Sequence, residues 1–228
     1  AEFEWANTSS HLMIGEDFYM IGAANDDRDG GPDLLKKLNI SSGALSSIEC
    51  PLPDSLNVFS DLSLEIVESN GLIYVTEVND HFDFPFDPRS YPNCLMLDPV
   101  TGVWTSCPNV PTFFHRAISF ENDLVIVGGI DFPGDDKLAT AGVWRLCKGA
   151  PAWTRLPSMS TVRSFSAAVV VEGRIYVFGG STGWTEEEAL DSAEELDLAT
   201  GIWKPLPRMP YKTEKCFAFL LSGTEGSR

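Results

Sequence analysis

Residues that carry enzyme chemistry are scarce in this chain of 228 residues. Histidine occurs only three times, as His11, His81 and His115, and no two of them stand at the spacing of a metal-binding pair. The sequence has no Gly-x-Ser-x-Gly motif, no Walker loop and no Gly-x-Gly-x-x-Gly turn. We therefore expect no catalytic residues, no metal site and no cofactor, and the chain is predicted not to be an enzyme.

Basic residues are also few. Lysine and arginine number 16 against 33 aspartates and glutamates, which gives a net charge of −17. Because nucleic acids and anionic membranes attract proteins through Lys and Arg, neither is expected as a partner. No apolar run approaches the roughly 20 residues that a bilayer-spanning helix needs. A basic protein segment is a compatible ligand, although a solvated acidic surface is the simpler interpretation of the charge.

The five cysteines are widely spaced and include no Cys-x-x-Cys pair. An odd number at wide spacing does not predict a disulfide framework, so most of them are expected to be small buried hydrophobic residues. This pattern favours a reducing compartment, which is the cytoplasm or the nucleus.

What the sequence does contain is a repeated strand pattern, clearest in residues 161–207. Two apolar runs, 166–171 and 174–178, flank the turn residues Glu172-Gly173, and the second run ends at Gly179-Gly180. This pattern predicts an antiparallel hairpin. Two further strands follow, 194–198 and 202–206, so the unit is predicted to be a four-stranded sheet. A sheet of this size buries too little surface to be stable alone.

The unit recurs along the chain. Tyr176 aligns with Val125 and then with Tyr74 at a spacing of 51 residues, and Tyr19 lies 55 residues before Tyr74. The turn before Trp203 also recurs, since residues 98–104 match 197–203. Tryptophans on such strands are expected to pack between neighbouring sheets. A period near 50 residues is typical of propeller blades.

The pattern Ile-Tyr-Val-Phe-Gly-Gly (175–180) followed by Asp-Leu-Ala-Thr-Gly-Ile-Trp (197–203) resembles a kelch repeat. The resemblance implies an all-β, kelch-type β-propeller of four-stranded antiparallel blades. It divides the chain into units at about 8–53, 58–108, 112–157 and 161–207, with a partial unit at 211–228 that residues 1–7 complete. Glu77-Val78 replaces the glycine pair of the second unit, and Gly22-Ala23 keeps half of it in the first.

The number of units leaves two alternatives open for the ring. Kelch rings usually have five to seven blades. Either residues 1–7 and 215–221 share a composite blade, or the chain is a fragment of a larger ring.

The loops of a propeller are where binding residues are expected, because a rigid scaffold positions them. The loops after the glycine pairs and the segments that lead into each first strand should share one rim. Aromatic residues and arginine dominate protein interfaces. The predicted partner-binding residues are His115, Arg116, Arg163, Lys212, Phe82, Phe84, Phe132 and Trp184. Charge reversal at Arg116 or Arg163 is expected to weaken partner capture without unfolding the protein.

Residues 191–216 and the sequence Arg163-Ser164-Phe165 are similar to plant F-box/kelch-repeat proteins. In that family the propeller recognises a target protein, and an amino-terminal F-box recruits the ubiquitin-ligase core through a Skp1-type adaptor. No F-box occurs in this sequence, and the first residue is Ala1 rather than Met, so residues upstream are expected. Two alternatives remain, a cytoskeletal or scaffolding kelch protein and a kelch-fold enzyme that acts on a sugar-like small molecule.

Overall fold

The regular structure is built of β-strands. A computed structural model describes residues 8–22, 34–51, 63–78, 93–131, 138–183 and 188–218, and these residues contain no α-helix. They form four antiparallel four-stranded sheets and one two-stranded hairpin. The first sheet consists of β1 (Thr8–Ile14), β2 (Asp17–Gly22), β3 (Leu34–Asn39) and β4 (Leu45–Glu49). The second consists of β5 (Ser63–Ser69), β6 (Leu72–Val78), β7 (Cys94–Asp98) and β8 (Val103–Ser106).

The third and fourth sheets repeat this order. The third consists of β9 (Arg116–Phe120), β10 (Asp123–Val127), β13 (Val143–Leu146) and β14 (Thr154–Leu156). The hairpin β11 (Ile130–Asp131) and β12 (Leu138–Ala139) lies between β10 and β13 in the chain. The fourth sheet consists of β15 (Ala167–Val171), β16 (Arg174–Phe178), β17 (Ala193–Asp197) and β18 (Ile202–Leu206). Each strand pairs with the next strand of its own sheet, so every sheet is a simple meander. We call the four sheets blades 1 to 4.

The first strands of the four blades lie side by side. Strand β1 contacts β5, β5 contacts β9, and β9 contacts β15. The later strands of each blade follow outward in order, from the second to the fourth. The blades therefore fan out around a common axis, which is the predicted propeller arrangement.

Three apolar clusters fill the spaces between successive blades. Tyr19 and Leu35 of blade 1 pack with Ile73 and Leu97 of blade 2. Tyr74 of blade 2 packs in the next cluster, which joins blades 2 and 3. The third cluster joins blades 3 and 4. Because side chains alternate between the two faces of a strand, each blade supplies one face to the blade before it and one to the blade after it.

The four residues aligned in the sequence occupy equivalent places. Tyr19, Tyr74 and Val125 each sit in the second strand of a blade and face the following blade. Tyr176 is at the same place in β16. Its two strand neighbours pack toward blade 3, so Tyr176 lies on the face of blade 4 that is turned away from blade 3.

Tryptophans connect the outer edges of neighbouring blades, as the repeats lead one to expect. The indole Nε1 of Trp153 donates to the carbonyl oxygen of Pro108 at 3.1 Å. Trp203 makes the same contact with the carbonyl oxygen of Pro157 at 2.8 Å. Each proline follows the last strand of the preceding blade, so the fourth strand of one blade is held by the indole of the next.

The glycine pairs allow the chain to approach its neighbour closely. The amide of Gly129 donates to the carbonyl of Arg163 at 2.7 Å, and the amide of Gly180 donates to the carbonyl of Thr213 at 2.9 Å. All four glycines of the two pairs have a positive φ. In blade 2, where Glu77-Val78 stands instead, β6 continues through both of those positions to Val78.

The structure differs from the sequence prediction at several strand ends. Strand β1 begins at Thr8 rather than at the expected His11, because β1 and β2 pair as far as Thr8 and Gly22. The hairpin of β11 and β12 was not predicted. In the strand expected over 216–221, residues 216–218 are not in a strand, and the remainder lies outside the described residues. Residues 1–7 also lie outside them.

The close approach at the glycine pairs gives a direct test of the fold. A Cβ on Gly128 (φ +64) would overlap the carbonyl oxygen of Arg163, whereas Gly149 (φ +75) has open space around the same position. Gly149→Ala should cost about 1 kcal/mol of unfolding free energy, from the backbone conformation alone. Gly128→Ala should cost roughly 3 kcal/mol, because it adds steric overlap with the backbone. Urea unfolding of both variants measures the two free energies. Equal losses would contradict the close contact between Gly128 and the carbonyl of Arg163.

Candidate functional site

In the described part of the chain, the segments that follow the last strands of blades 2, 3 and 4 reach the same side of the propeller. We call residues 107–115, 157–166 and 207–216 the lead-in segments, since each leads toward the axis from the last strand of a blade. Because the strands are antiparallel, the glycine pairs lie on this side too, which we call the lead-in face. The opposite side carries the tight turns between first and second strands, such as residues 70–71 and 172–173.

Successive lead-in segments are hydrogen-bonded to one another. The amide of Phe165 donates to the carbonyl of Phe114 at 3.1 Å, and the amide of Lys215 donates to the carbonyl of Phe165 at 2.9 Å. All three residues have a left-handed backbone, with φ of 51°, 53° and 52°. Non-glycine residues rarely adopt this conformation, and it is found where surrounding contacts enforce it. The three segments are thus one continuous, repeated structure around the axis.

A cavity of about 350 Å³ lies on the axis. Its wall is formed by the first strands of all four blades and by residues 217–218, which follow the last lead-in segment. The lining residues are Ser10, His11, Glu65, Ile66, Arg116, Ala117, Ile118, Ala168, Phe217 and Ala218. Most of the strand residues among them lie in the first half of their strand. The cavity therefore lies toward the lead-in face.

Arg116 ties together three elements at the cavity wall. Its Nη1 lies 2.5 Å from Glu65 Oε1, which joins blade 3 to blade 2. Its Nε donates to the carbonyl of Ser166 at 3.1 Å, and its Nη2 donates to the carbonyl of Cys216 at 3.0 Å. The guanidinium carbon also lies 4.7 Å from the ring centroid of Phe217. The guanidinium of Arg116, which was predicted to bind a partner, therefore makes most of its contacts within the propeller.

Glu65 is the acidic counterpart of this arrangement. Its second carboxylate oxygen accepts the amide of Ala117 at 2.8 Å, so both oxygens have partners. Burial raises the pKa of Glu65, while the nearby Arg116 charge and the Ala117 amide act in the opposite direction. A carboxylate whose oxygens are both occupied in this way is poorly placed to serve as a general base.

Arg163 lies inside the propeller rather than on its rim. Its side chain is only 1% exposed, and its Nε lies 3.1 Å from Glu194 Oε1 of the same blade. Its Nη1 donates to the carbonyls of Gly179 at 2.7 Å and of Ser192 at 3.0 Å. Burial lowers the pKa of Arg163, opposed by the charge of Glu194. In this position the side chain presents no surface to a partner and holds blade 4 to its lead-in segment.

His115 is also buried. Its Nδ1 is 2.9 Å from the carbonyl of Thr112, and its Nε2 is 3.0 Å from the hydroxyl of Thr76 in blade 2. A carbonyl can only accept, so Nδ1 carries the proton and Nε2 accepts the hydroxyl. Burial lowers the pKa of His115 to about 4, aided by the charge of Arg116 and opposed by the hydrogen bond to Thr112. The neutral imidazole is a buried link between blades 2 and 3.

The remaining predicted partner-binding residues fall in two groups. Lys212 is exposed in the last lead-in segment. Phe82, Phe84, Phe132 and Trp184 lie outside the described residues. Of the four predicted residues that the structure describes, only Arg116 lines the cavity, and the partner-binding role of all eight stays a prediction.

The structure also shows cavity residues that were not selected from the sequence. Glu65 is a charged residue at an inward position of an apolar strand, and this pattern could have identified it as a cavity residue from the sequence. Phe217 is a large apolar side chain that remains 60% exposed beside the cavity. Ser10 has no comparable signal in the sequence, yet its hydroxyl accepts the amide of Ile66 at 3.0 Å and links blades 1 and 2.

No group of three or more His, Cys, Asp and Glu side chains in the described part of the chain could hold a metal ion. Within the same residues, no helix is long and apolar enough to cross a membrane.

Comparison with known proteins bears on both the motif and the fold. Residues 163–210 match the Kelch motif. The chain is 28% identical over 146 residues to an F-box/kelch-repeat protein of Arabidopsis thaliana, covering 58% of this chain and 38% of the relative. It is 32% identical over 157 residues to F-box/kelch-repeat protein OR23 of the same plant, covering 60% and 35%. Kelch-like protein 33 of Homo sapiens is 30% identical over 131 residues, covering 55% and 23%.

These matches span less than two fifths of the relatives' own lengths. Among solved structures, that of YjhT superposes with a TM-score of 0.67 at 12% identity, covering 94% of this chain and 69% of that one. A likeness at this identity concerns the fold, and together with the motif match it confirms the predicted propeller.

The buried His115 predicts a specific dependence of stability on pH. Its pKa is about 4 in the folded chain against an ordinary value of 6.5, so the unfolded chain binds more protons between these values. Stability contributed by His115 is therefore present above pH 6.5 and is lost as the pH falls toward 4. Between about pH 7 and about pH 5, wild type should lose about 2 kcal/mol more than His115→Gln in urea unfolding. If the unfolding free energies of the two proteins changed equally with pH, the imidazole of His115 would not be buried in its neutral form.

The burial of Arg163 predicts that charge reversal there unfolds the protein, contrary to the expectation from sequence. Arg163→Glu would place a second carboxylate against buried Glu194 and should cost roughly 3 to 5 kcal/mol. Arg208→Glu is the control, because it breaks an ion pair with Asp191 in which the Arg208 side chain is 75% exposed. That variant should lose at most about 1 kcal/mol. Thermal unfolding compares the two, and similar melting temperatures would show that the Arg163 pair is unimportant.

Proposed function

We propose that this β-propeller, which matches the Kelch motif at residues 163–210 and is similar to F-box/kelch-repeat and Kelch-like proteins, is a non-catalytic protein-interaction module. Its target is a protein that binds on the lead-in face, over the axial cavity. The observation that carries this proposal is the position of the cavity. It lies among the first strands of all four blades, on the side where the lead-in segments meet.

Exposed apolar side chains on this face support a protein as the target. Phe217 lines the cavity and is 60% exposed, and Tyr211 in the lead-in segment just before it is 80% exposed. Large aromatic side chains at a concave surface are typical of the centres of protein interfaces. The alanines at the wall leave room for a side chain of the target to enter.

The charge of the chain supports a target with a basic segment. The net charge is −17, and the Arg116 guanidinium at the cavity is already paired with Glu65. Asp131, two residues after Gly129, and Glu188, whose carbonyl accepts the amide of Thr182, are exposed close to the glycine pairs of the lead-in face. Acidic surfaces of this kind accelerate encounter with basic partners and disfavour nucleic acids and anionic membranes.

A more specific part of the proposal is that the propeller is the substrate-recognition part of a ubiquitin ligase receptor in the cytoplasm or nucleus. It is supported by the names of the Arabidopsis relatives, which are F-box/kelch-repeat proteins. In this arrangement an F-box elsewhere in the protein binds a Skp1-type adaptor, and other subunits ubiquitinate the bound target. Co-purification of the adaptor with the full-length gene product tests this part separately from target binding.

A scaffolding kelch protein is the second candidate function, because the relatives also include Kelch-like protein 33, whose name mentions no F-box. The two candidates share the lead-in face as the binding surface and differ in whether the bound target is ubiquitinated. The non-catalytic character is supported by the engagement of both Glu65 oxygens and by the burial of His115 outside the cavity lining.

The proposal predicts that exposed apolar residues of the lead-in face are needed for capture of the target. In quantitative affinity capture followed by mass spectrometry, the double variant Tyr211→Ala and Phe217→Ala should recover the target about 5- to 30-fold less well than wild type. This corresponds to the loss of about 1 to 2 kcal/mol that interface aromatics typically contribute. Both side chains are more than half exposed, so folding should be preserved.

The matched control is the double variant Val100→Ala and Val103→Ala. These side chains are 91% and 57% exposed and lie at the turn between β7 and β8, away from the cavity. The control should capture the same proteins as wild type. Equal recovery by the two double variants would show that the lead-in face does not bind the target.

A further inference from the structure

Two cysteines face each other at the outer edge of blade 2. Cys94 is the first residue of β7, and Cys107 follows the last residue of β8. The strand register pairs Leu95 with Ser106. The next pair along the two strands, away from the turn, is therefore Cys94 with Cys107. The amide of Cys107 donates to the carbonyl of Cys94 at 2.8 Å. Directly opposed residues of an antiparallel ladder project their side chains from the same face of the sheet.

This geometry suits a disulfide. Hydrogen-bonded pairs of an antiparallel ladder have Cα atoms about 5.5 Å apart, within the range found in disulfides. The two thiols lie close enough for each to shift the pKa of the other. Both side chains belong to the apolar cluster between blades 2 and 3, so each is held in place by packing.

The two thiols differ in a way that assigns their roles. Cys94 is buried, and its pKa is raised by its hydrogen bond to Cys107 and by burial. Cys107 is partly exposed, and the hydrogen bond from Cys94 lowers its pKa. Cys107 is therefore the thiolate that reacts first. Cys147 is exposed, but its hydrogen bond to Asp123 raises its pKa, which makes it a slower nucleophile.

We propose that Cys94 and Cys107 form a reversible disulfide when the chain meets a small-molecule disulfide such as oxidised glutathione. The Cys107 thiolate attacks one sulfur of the oxidant, which forms a mixed disulfide and releases one thiolate. Cys94 loses its proton to solvent and attacks the Cys107 sulfur, which releases the second thiolate. Two protein thiols are thereby oxidised, one small disulfide is reduced, and two small thiols leave.

The bond would reinforce the contact between blades 2 and 3. It would join the third and fourth strands of blade 2 next to Pro108, whose carbonyl accepts the indole of Trp153 in blade 3. It would close a short loop over the turn between β7 and β8, which stabilises the folded chain chiefly by restricting the unfolded one. The oxidised protein is therefore expected to melt several degrees higher than the reduced protein.

The test is to treat the chain with oxidised glutathione at neutral pH, alkylate the remaining thiols and map the peptides without reduction. The expected result is a linkage between Cys94 and Cys107 that dithiothreitol removes, together with a melting temperature that rises on oxidation and returns on reduction. Cys94→Ser should instead accumulate a glutathione adduct on Cys107. Cys147→Ser is the control and should form the linkage as wild type does.

Each other result contradicts the proposal. A stable glutathione adduct on Cys107 of wild type would show that Cys94 cannot reach it. Alkylation of both thiols without any linkage would show that the pair is not oxidised under these conditions. A linkage that involves Cys147 would show that exposure, and not the opposed geometry, decides which thiols react.

Discussion

The backbone contact between each glycine pair and the following lead-in segment is the constraint on which the propeller depends. The amides of Gly129 and Gly180 reach the carbonyls of Arg163 and Thr213 directly, and a Cβ on the preceding glycine, Gly128 or Gly179, would overlap those same oxygens. The contact fixes where the chain leaves one blade and begins the next. It therefore also helps to position β15 and the segment that ends at Phe217, both of which line the axial cavity.

Buried polar groups secure the same junctions. The Arg163 guanidinium donates to the carbonyls of Gly179 and Ser192, and Glu194 also accepts the amide and hydroxyl of Ser160 at 2.8 Å. A charge this deeply buried is tolerated only when hydrogen bonds satisfy it, so the whole set acts as one structural element. The lead-in face is thus a rigid frame, and loops attached to it are free to differ in sequence without changing the fold.

The fold could be predicted from sequence because the residues that pack between blades repeat at a regular spacing along the chain. Tyr19, Tyr74 and Val125 recur at spacings near 50 and pack between successive blades. The lead-in segments have no such period, and their contacts are made with residues far away in the chain. The burial of Arg163 depends on Glu194 and Ser192, which lie 31 and 29 positions later, so its sequence neighbours could not distinguish a rim residue from an internal one.

The cavity wall offers a partner different contacts from those that the sequence indicates. From sequence, Arg116 is a charge available to a partner, whereas in the structure Glu65 and the carbonyls of Ser166 and Cys216 occupy its donors. Withdrawing it would leave Glu65 buried without its counter-charge, which is costly. What the wall offers instead is the exposed ring of Phe217 beside small alanine side chains. In the proposed binding mode, recognition at the axis would rest on shape and apolar contact, while the net negative charge of the chain would speed the arrival of a basic target.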